Sequence, residues 1–261
     1  MAITPAAAAD LRNALRAFRA AHTSLAVPSG AGKALEAWIL IRLAMTARSL
    51  GWTVSLRRGD DTPLPPGHDF VFTAGGSGIG PSSAAAPMFV MIEDPQGKAY
   101  ELHGSLVWIG RSGASHECDV SMLPRSVAMA LRSRRRTGNP RGLPLLIIEC
   151  KDKVGTGTLD EMRQMLARMF DLALVTKPSL GPCRIFSLGR CPTLWGRHSS
   201  QYRSLYRRGL FAVARASGFQ PGASTLASHY AIVDLPQIYS SGQITQIEAK
   251  FSTLLSEVAG Y

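Results

Sequence analysis

The stretch LPLLIIECK, residues 143–151, decides the fold class of this chain. Its run of consecutive apolar residues is typical of a strand that is buried on both faces of a sheet. Because side chains two positions apart on a strand lie on the same face, Glu149 and Lys151 should project together where the strand ends, while Cys150 points to the other side. A helical pattern over 158–174 follows, and this strand–helix order predicts an α/β protein.

Further elements are predicted on both sides of this strand. Upstream, the patterns predict helices over 5–21 and about 32–50, strands near 52–56, 88–92, 99–102, 106–109 and 118–123, and a hairpin turn at 94–97. Downstream, they predict a helix near 200–216, a strand near 229–235 and a helix near 243–258. We therefore expect a central mixed β-sheet flanked by helices. The expected organisation is an N-terminal helix and linker over 1–29, a core over 30–180 and a C-terminal α/β extension over 181–261 packed on it.

The composition excludes several classes of protein. The chain has 261 residues, 46% of them hydrophobic, which is too apolar for a disordered protein. Four cysteines without C-x-x-C spacing give neither a disulfide framework nor a zinc ribbon, so we expect a cytoplasmic protein with reduced thiols. No apolar run approaches the length that a membrane span needs. A net charge of +11 favours a polyanionic partner such as nucleic acid.

Two more acids lie at positions where a carboxylate needs a partner. Asp119 stands within the alternating strand pattern of residues 115–122, on the polar face. Glu36 lies on a helix that is apolar almost all round and therefore buried. Lys33, one turn earlier, is one partner for Glu36, and an outside cation or donor is the alternative.

Together, Glu36 on an early helix, Asp119 on a strand and the Glu149-x-Lys151 pair on the next strand resemble the PD-(D/E)xK nuclease superfamily, which has the restriction-endonuclease-like fold. The resemblance covers about residues 30–175, although Cys118 stands where the family has proline. It implies Mg²⁺, or Mn²⁺ in its place, bound by Asp119 and Glu149. It also implies that Lys151 assists the attacking water and that Glu36 supports the site. A residue on the following helix often contributes, and Gln164 fits by location, with Arg168 where some branches have tyrosine.

Basic residues near this core are candidate phosphate contacts. They are Arg132, Arg134, Arg135, Arg136 and Arg141 in the connection before residue 143, and Arg203 and Arg207 in the tail. A solvated arginine-rich loop is the alternative for the first group. The expected partner is DNA, with a homodimer or a partner protein supplying specificity.

Three functions compete at this point. The first is a metal-dependent endonuclease that hydrolyses phosphodiester bonds in DNA. The second is a catalytically inactive protein with the nuclease fold that serves as a nucleic-acid-binding or assembly module. The third is an enzyme of another kind that uses His116 with Cys118 or Cys150 as base and nucleophile, which requires hydrogen-bond contact between them.

Overall fold

A computed structural model describes residues 3–20, 33–72, 75–80, 87–110, 112–134, 136–172 and 209–259. These ranges contain six helices and seven strands. The helices are α1 (Pro5–Ala17), α2 (Lys33–Ser49), α3 (Arg125–Arg132), α4 (Leu159–Leu172), α5 (Pro221–His229) and α6 (Ser241–Ala259). The strands are β1 (Thr53–Arg57), β2 (Phe89–Glu93), β3 (Ala99–Ile109), β4 (Ser115–Pro124), β5 (Leu146–Lys151), β6 (Leu210–Arg215) and β7 (Val233–Leu235).

The strands form one mixed sheet whose order follows the sequence from β1 to β7. Strands β1 to β5 pair in antiparallel fashion as a meander, whereas β5, β6 and β7 are parallel. Because β6 and β7 continue the same sheet, the C-terminal elements share the sheet that carries Glu149. The predicted α/β fold, with a central mixed sheet and flanking helices, is confirmed.

Burial is consistent with the positions of β5 and β6, which are interior strands of the sheet with a neighbour on each side. Residues 146–150 of β5 and all six residues of β6 are buried. Continuous burial of this kind is what parallel strands covered on both faces require. Helix α2 is buried on most of its surface, because it lies on the sheet and also contacts α1 and α6. One hydrophobic core therefore runs from α1 to α6.

Several predicted boundaries are wrong for physical reasons. The helix predicted over 200–216 is strand β6 over 210–215, because the apolar run LFAVA is buried on both faces; the earlier part of that range lies outside the described residues. The two strands predicted near 99–102 and 106–109 are one strand, β3. The first helix ends at Ala17, earlier than predicted. The bounds predicted for α2, about 32–50, are confirmed to within one residue at each end, and the φ of +82° at Gly51 suits a helix stop.

Candidate functional site

The Glu149-x-Lys151 pair lies at the end of β5, as the alternation predicts. Glu149 is only 6% exposed. One of its carboxylate oxygens accepts a hydrogen bond from Nζ of Lys151, and the other accepts one from the guanidinium of Arg168 on α4. Although burial disfavours the ammonium form, Glu149 raises the pKa of Lys151. Both oxygens of Glu149 are therefore held by cations.

Asp119 lies next to Glu149 on the neighbouring strand. The last pair between β4 and β5 is Val120 with Ile148, so the same register places Asp119 opposite Glu149. Its Oδ2 accepts a hydrogen bond of 2.7 Å from the backbone N–H of Cys150. Burial, followed by the negative charges of Glu149 and Glu36, raises the pKa of Asp119 to about 7.

Glu36 reaches the sheet from the first turn of α2. Its Oε2 accepts hydrogen bonds from Nζ of Lys33 at 3.0 Å and from Oγ of Ser105 on β3 at 2.9 Å. Nζ of Lys33 also contacts Oγ of Ser105 at 2.6 Å and Oε1 of Glu117 at 3.2 Å. Burial raises the pKa of Glu36 in spite of Lys33. The pairing of Lys33 with Glu36 is confirmed, and Ser105 is a partner that the sequence patterns did not indicate.

The site can be summarised as an acid cluster, which consists of Glu36, Glu117, Asp119 and Glu149. Among the described residues, the cations that contact it are Lys33, Lys151 and Arg168, so within those ranges four carboxylates meet three cations. Asp119 is the carboxylate that forms no ion pair with a described residue, and its Oδ1 accepts no hydrogen bond within those ranges. Negative charge is therefore in excess around Asp119.

The acid cluster supplies carboxylate oxygens, the type of ligand that a hard divalent cation prefers. Mg²⁺ is usually held by one or two carboxylates, and water and phosphate oxygens complete its coordination. Asp119 and Glu149 can supply these carboxylates, provided that Glu149 exchanges Lys151 or Arg168 for the ion. In the part of the chain that the structure describes, no group of three or more His, Cys, Asp or Glu side chains is arranged to hold a metal.

The prediction that Arg132 contacts phosphate is corrected by its burial and its partners. It is 9% exposed, and its guanidinium donates to both carboxylate oxygens of Glu101, at 2.6 and 2.7 Å. It also lies 4.2 Å from the ring centroid of Phe89. The reason is that Arg132 ends α3, which packs on β3, so its side chain points into the protein. Arg132 is a structural residue.

The other predicted site residues are more accessible or lie elsewhere. Arg134, Arg136 and Arg141 are exposed on the connection between α3 and β5. Gln164 is exposed on α4, one turn before Arg168, and forms no hydrogen bond with the acid cluster among the described residues. Arg135, Arg203 and Arg207 lie outside the described residues.

The geometry opposes the cysteine–histidine alternative. Nε2 of His116 hydrogen-bonds to Asp171 at 2.7 Å, and the thiol of Cys118 lies near the backbone carbonyl of His116, not its ring. Burial raises the pKa of both Cys118 and Cys150, so neither thiol is readily ionised. The thiolate that this mechanism needs is therefore disfavoured.

Comparison of the chain with protein-family models, with curated proteins and with solved structures gives no match. Across the described ranges, no helix is both long enough and apolar enough to cross a membrane.

Proposed function

We propose that the protein is a divalent-cation-dependent phosphodiesterase that cleaves DNA. The observation that carries the proposal is the position of Asp119, which forms no ion pair among the described residues. Its carboxylate lies opposite Glu149, and burial together with the negative charges of Glu149 and Glu36 raises its pKa. A bound Mg²⁺ would relieve this repulsion, and it would supply Lewis-acid stabilisation of the scissile phosphate and of the attacking water.

In this proposal each residue of the chain has a distinct role. Asp119 and Glu149 hold the cation, and Glu36 supports them from α2. Lys151 remains protonated, since Glu149 raises its pKa, so it acts by orienting water and by offsetting the negative charge that develops on the phosphate. Electrostatic stabilisation of this kind provides most of the catalysis in phosphoryl transfer.

Charge at the protein surface supports DNA as the substrate. The chain carries a net charge of +11, and the exposed side chains of Arg134, Arg136 and Arg141 lie on the connection that leads into β5, the strand of Glu149. Arginines at such a place can contact phosphates and fix the position of a duplex without reading its sequence.

The test is a cleavage assay on plasmid and linear DNA with Mg²⁺, Mn²⁺ or EDTA. We expect cleavage that needs the cation, that is lost in Glu149→Gln and that survives in Glu248→Gln. The second variant is a matched control. Glu248 also forms an ion pair with an arginine, Arg42, but Glu248 lies on α6 and is not part of the acid cluster. Absence of cleavage with either cation across these substrates would contradict the proposal.

One observation favours the second candidate, a nucleic-acid-binding module without catalysis. Glu149 already contacts two cations, Lys151 and Arg168, and such a group can be a purely structural ion-pair network. The variant Arg168→Gln separates the two functions in Mn²⁺ calorimetry. If the ion has to displace Arg168 from Glu149, the variant should bind Mn²⁺ more tightly than the wild type. DNA binding without Mn²⁺ binding by either protein would favour the non-catalytic module.

A further inference from the structure

Ser105 interrupts the pairing of β3 with β4 directly opposite Asp119. The nine residue pairs between these strands share one register. In that register Ser105 lies opposite Asp119, but these two residues do not form a pair. Ser105 has a φ of +48°, a left-handed conformation that is costly for serine. Strain of this kind is kept where the surrounding structure enforces it, and it is concentrated at functional sites.

The backbone around Ser105 is supported in this conformation. The carbonyl of Ser105 accepts a hydrogen bond of 2.9 Å from the N–H of Ser77, and the N–H of Val107 donates to the carbonyl of Ser77 at 2.8 Å. The segment containing Ser77 thus takes the place of a neighbouring strand beside the distorted part of β3. The distortion is therefore supported by backbone hydrogen bonds to Ser77.

The distortion directs the Ser105 hydroxyl toward α2. There it donates to Oε2 of Glu36 and accepts from Nζ of Lys33, and Ser105 itself is only 1% exposed. A cavity of about 10 Å³ adjoins these three residues. That is about the smallest space that holds one water molecule, so the carboxylate of Glu36 has little room for another position.

Ser105 and Lys33 do not form a nucleophile and base. A serine nucleophile needs a neutral amine to take its proton. Although burial alone would lower it, the carboxylates of Glu36 and Glu117 raise the pKa of Lys33, so its amine remains an ammonium near neutral pH. The contact between Ser105 and Lys33 therefore helps to hold the carboxylates of Glu36 and Glu117 in place.

We propose that Ser105 is a positioning residue that, together with Lys33, fixes the Glu36 carboxylate beside Asp119. This inference rests on the proposed cation-dependent function and assigns a task to a serine outside the acid cluster. Without the hydroxyl, Glu36 loses the sheet-borne donor that ties α2 to β3. Loss of a group that orients a metal-site residue typically costs about 10–100-fold in metal affinity or activity.

The variant Ser105→Gly tests this role without compromising folding. Glycine adopts a φ of +48° easily, and this relief of strain should offset part of the stability lost with the hydrogen bonds of the hydroxyl, so the melting temperature should fall only slightly. We expect Mn²⁺ affinity in calorimetry and kcat for DNA cleavage each to fall about 10-fold or more, with KM for DNA unchanged. A matched control is Ala231→Gly, since Ala231 is exposed and has a φ of +56°. It should keep wild-type Mn²⁺ affinity and kcat.

The outcomes separate this inference from the proposed function. If the wild type cleaves DNA and Ser105→Gly binds Mn²⁺ and cleaves equally well, the positioning role is overturned and the nuclease proposal stands. If the wild type binds Mn²⁺ without cleaving DNA and Ser105→Gly binds it at least 10-fold more weakly, the positioning role is supported and the nuclease proposal fails. A wild type that neither binds Mn²⁺ nor cleaves DNA overturns both.

Discussion

Replacing Asp119 with asparagine should stabilise the protein at alkaline pH. The structure raises the pKa of this carboxyl from 3.8 to about 7, chiefly by burial. An acid with a raised pKa in the folded state costs nothing when it is protonated in both states. The loss of unfolding free energy begins as pH rises above 3.8, where the carboxyl ionises in the unfolded chain, and is complete above about 7. A difference of about three pKa units corresponds to at most about 4 kcal/mol of unfolding free energy.

Asparagine is a close analogue of the protonated carboxyl, and its Oδ1 can still accept from the N–H of Cys150. At about pH 3.5, where the carboxyl is largely protonated in both states, Asp119→Asn and the wild type should therefore unfold at similar urea concentrations. Near pH 8.5 the variant should be more stable by about 2–4 kcal/mol, the lower value applying if the neighbouring charges relax. Asp160→Asn serves as the control, because that side chain is 76% exposed and should show no such pH dependence.

The result that refutes this reasoning is an unfolding free-energy difference between Asp119→Asn and wild type that is the same at both pH values. Asp119 would then bear no uncompensated charge in the folded protein. A second measurement ties stability to function: at about pH 8.5, Mg²⁺ should raise the urea midpoint of the wild type and leave that of the variant unchanged, since a ligand stabilises only the state that binds it.

Further predictions concern single basic residues. Lys151→Ala should lower the cleavage rate by about 10²–10³-fold in steady-state assays, because one electrostatic stabiliser is lost, while DNA affinity hardly changes. Arg132→Ala should cost about 3–5 kcal/mol in urea unfolding, because it leaves the carboxylate of Glu101 buried without its bidentate partner. Arg136→Ala should leave stability unchanged and reduce the salt slope of DNA binding by about one charge.

Local patterns predicted most of the fold. The apolar run of β5 and the turn at 94–97 are signals that depend on nearby residues, and the structure confirms both. Strand β6 was mistaken for part of a helix, because a short apolar run has no period that distinguishes a buried strand from a helix. Its parallel pairing with β5 decides the matter, and that contact is not visible in the local sequence.

The candidate site was predictable where two residues share one strand. Alternation placed Glu149 and Lys151 on one face, and their contact is confirmed. The sequence gives no indication of the role of Ser105, because that role depends on a left-handed backbone conformation in the middle of a strand. Glycine or asparagine at a position can suggest such a conformation, but serine does not. Arg132 was wrongly predicted as a phosphate contact because it begins a run of arginines, whereas it belongs to α3 and its side chain contacts Glu101 on a buried strand.

Several other buried or half-buried acids of the described residues differ from Asp119, because they form ion pairs with arginines. Glu101 is matched by Arg132, and Glu161 by Arg215, so these buried or half-buried acids are neutralised within the chain. Asp94 has one buried oxygen without a hydrogen-bond partner among the described residues, but its other oxygen accepts two backbone N–H groups and shapes the turn between β2 and β3. Asp119 combines a pKa of about 7, adjacent carboxylates and a strained residue opposite it. The charge on Asp119 therefore opposes folding, and in the proposed function a bound cation would remove this cost.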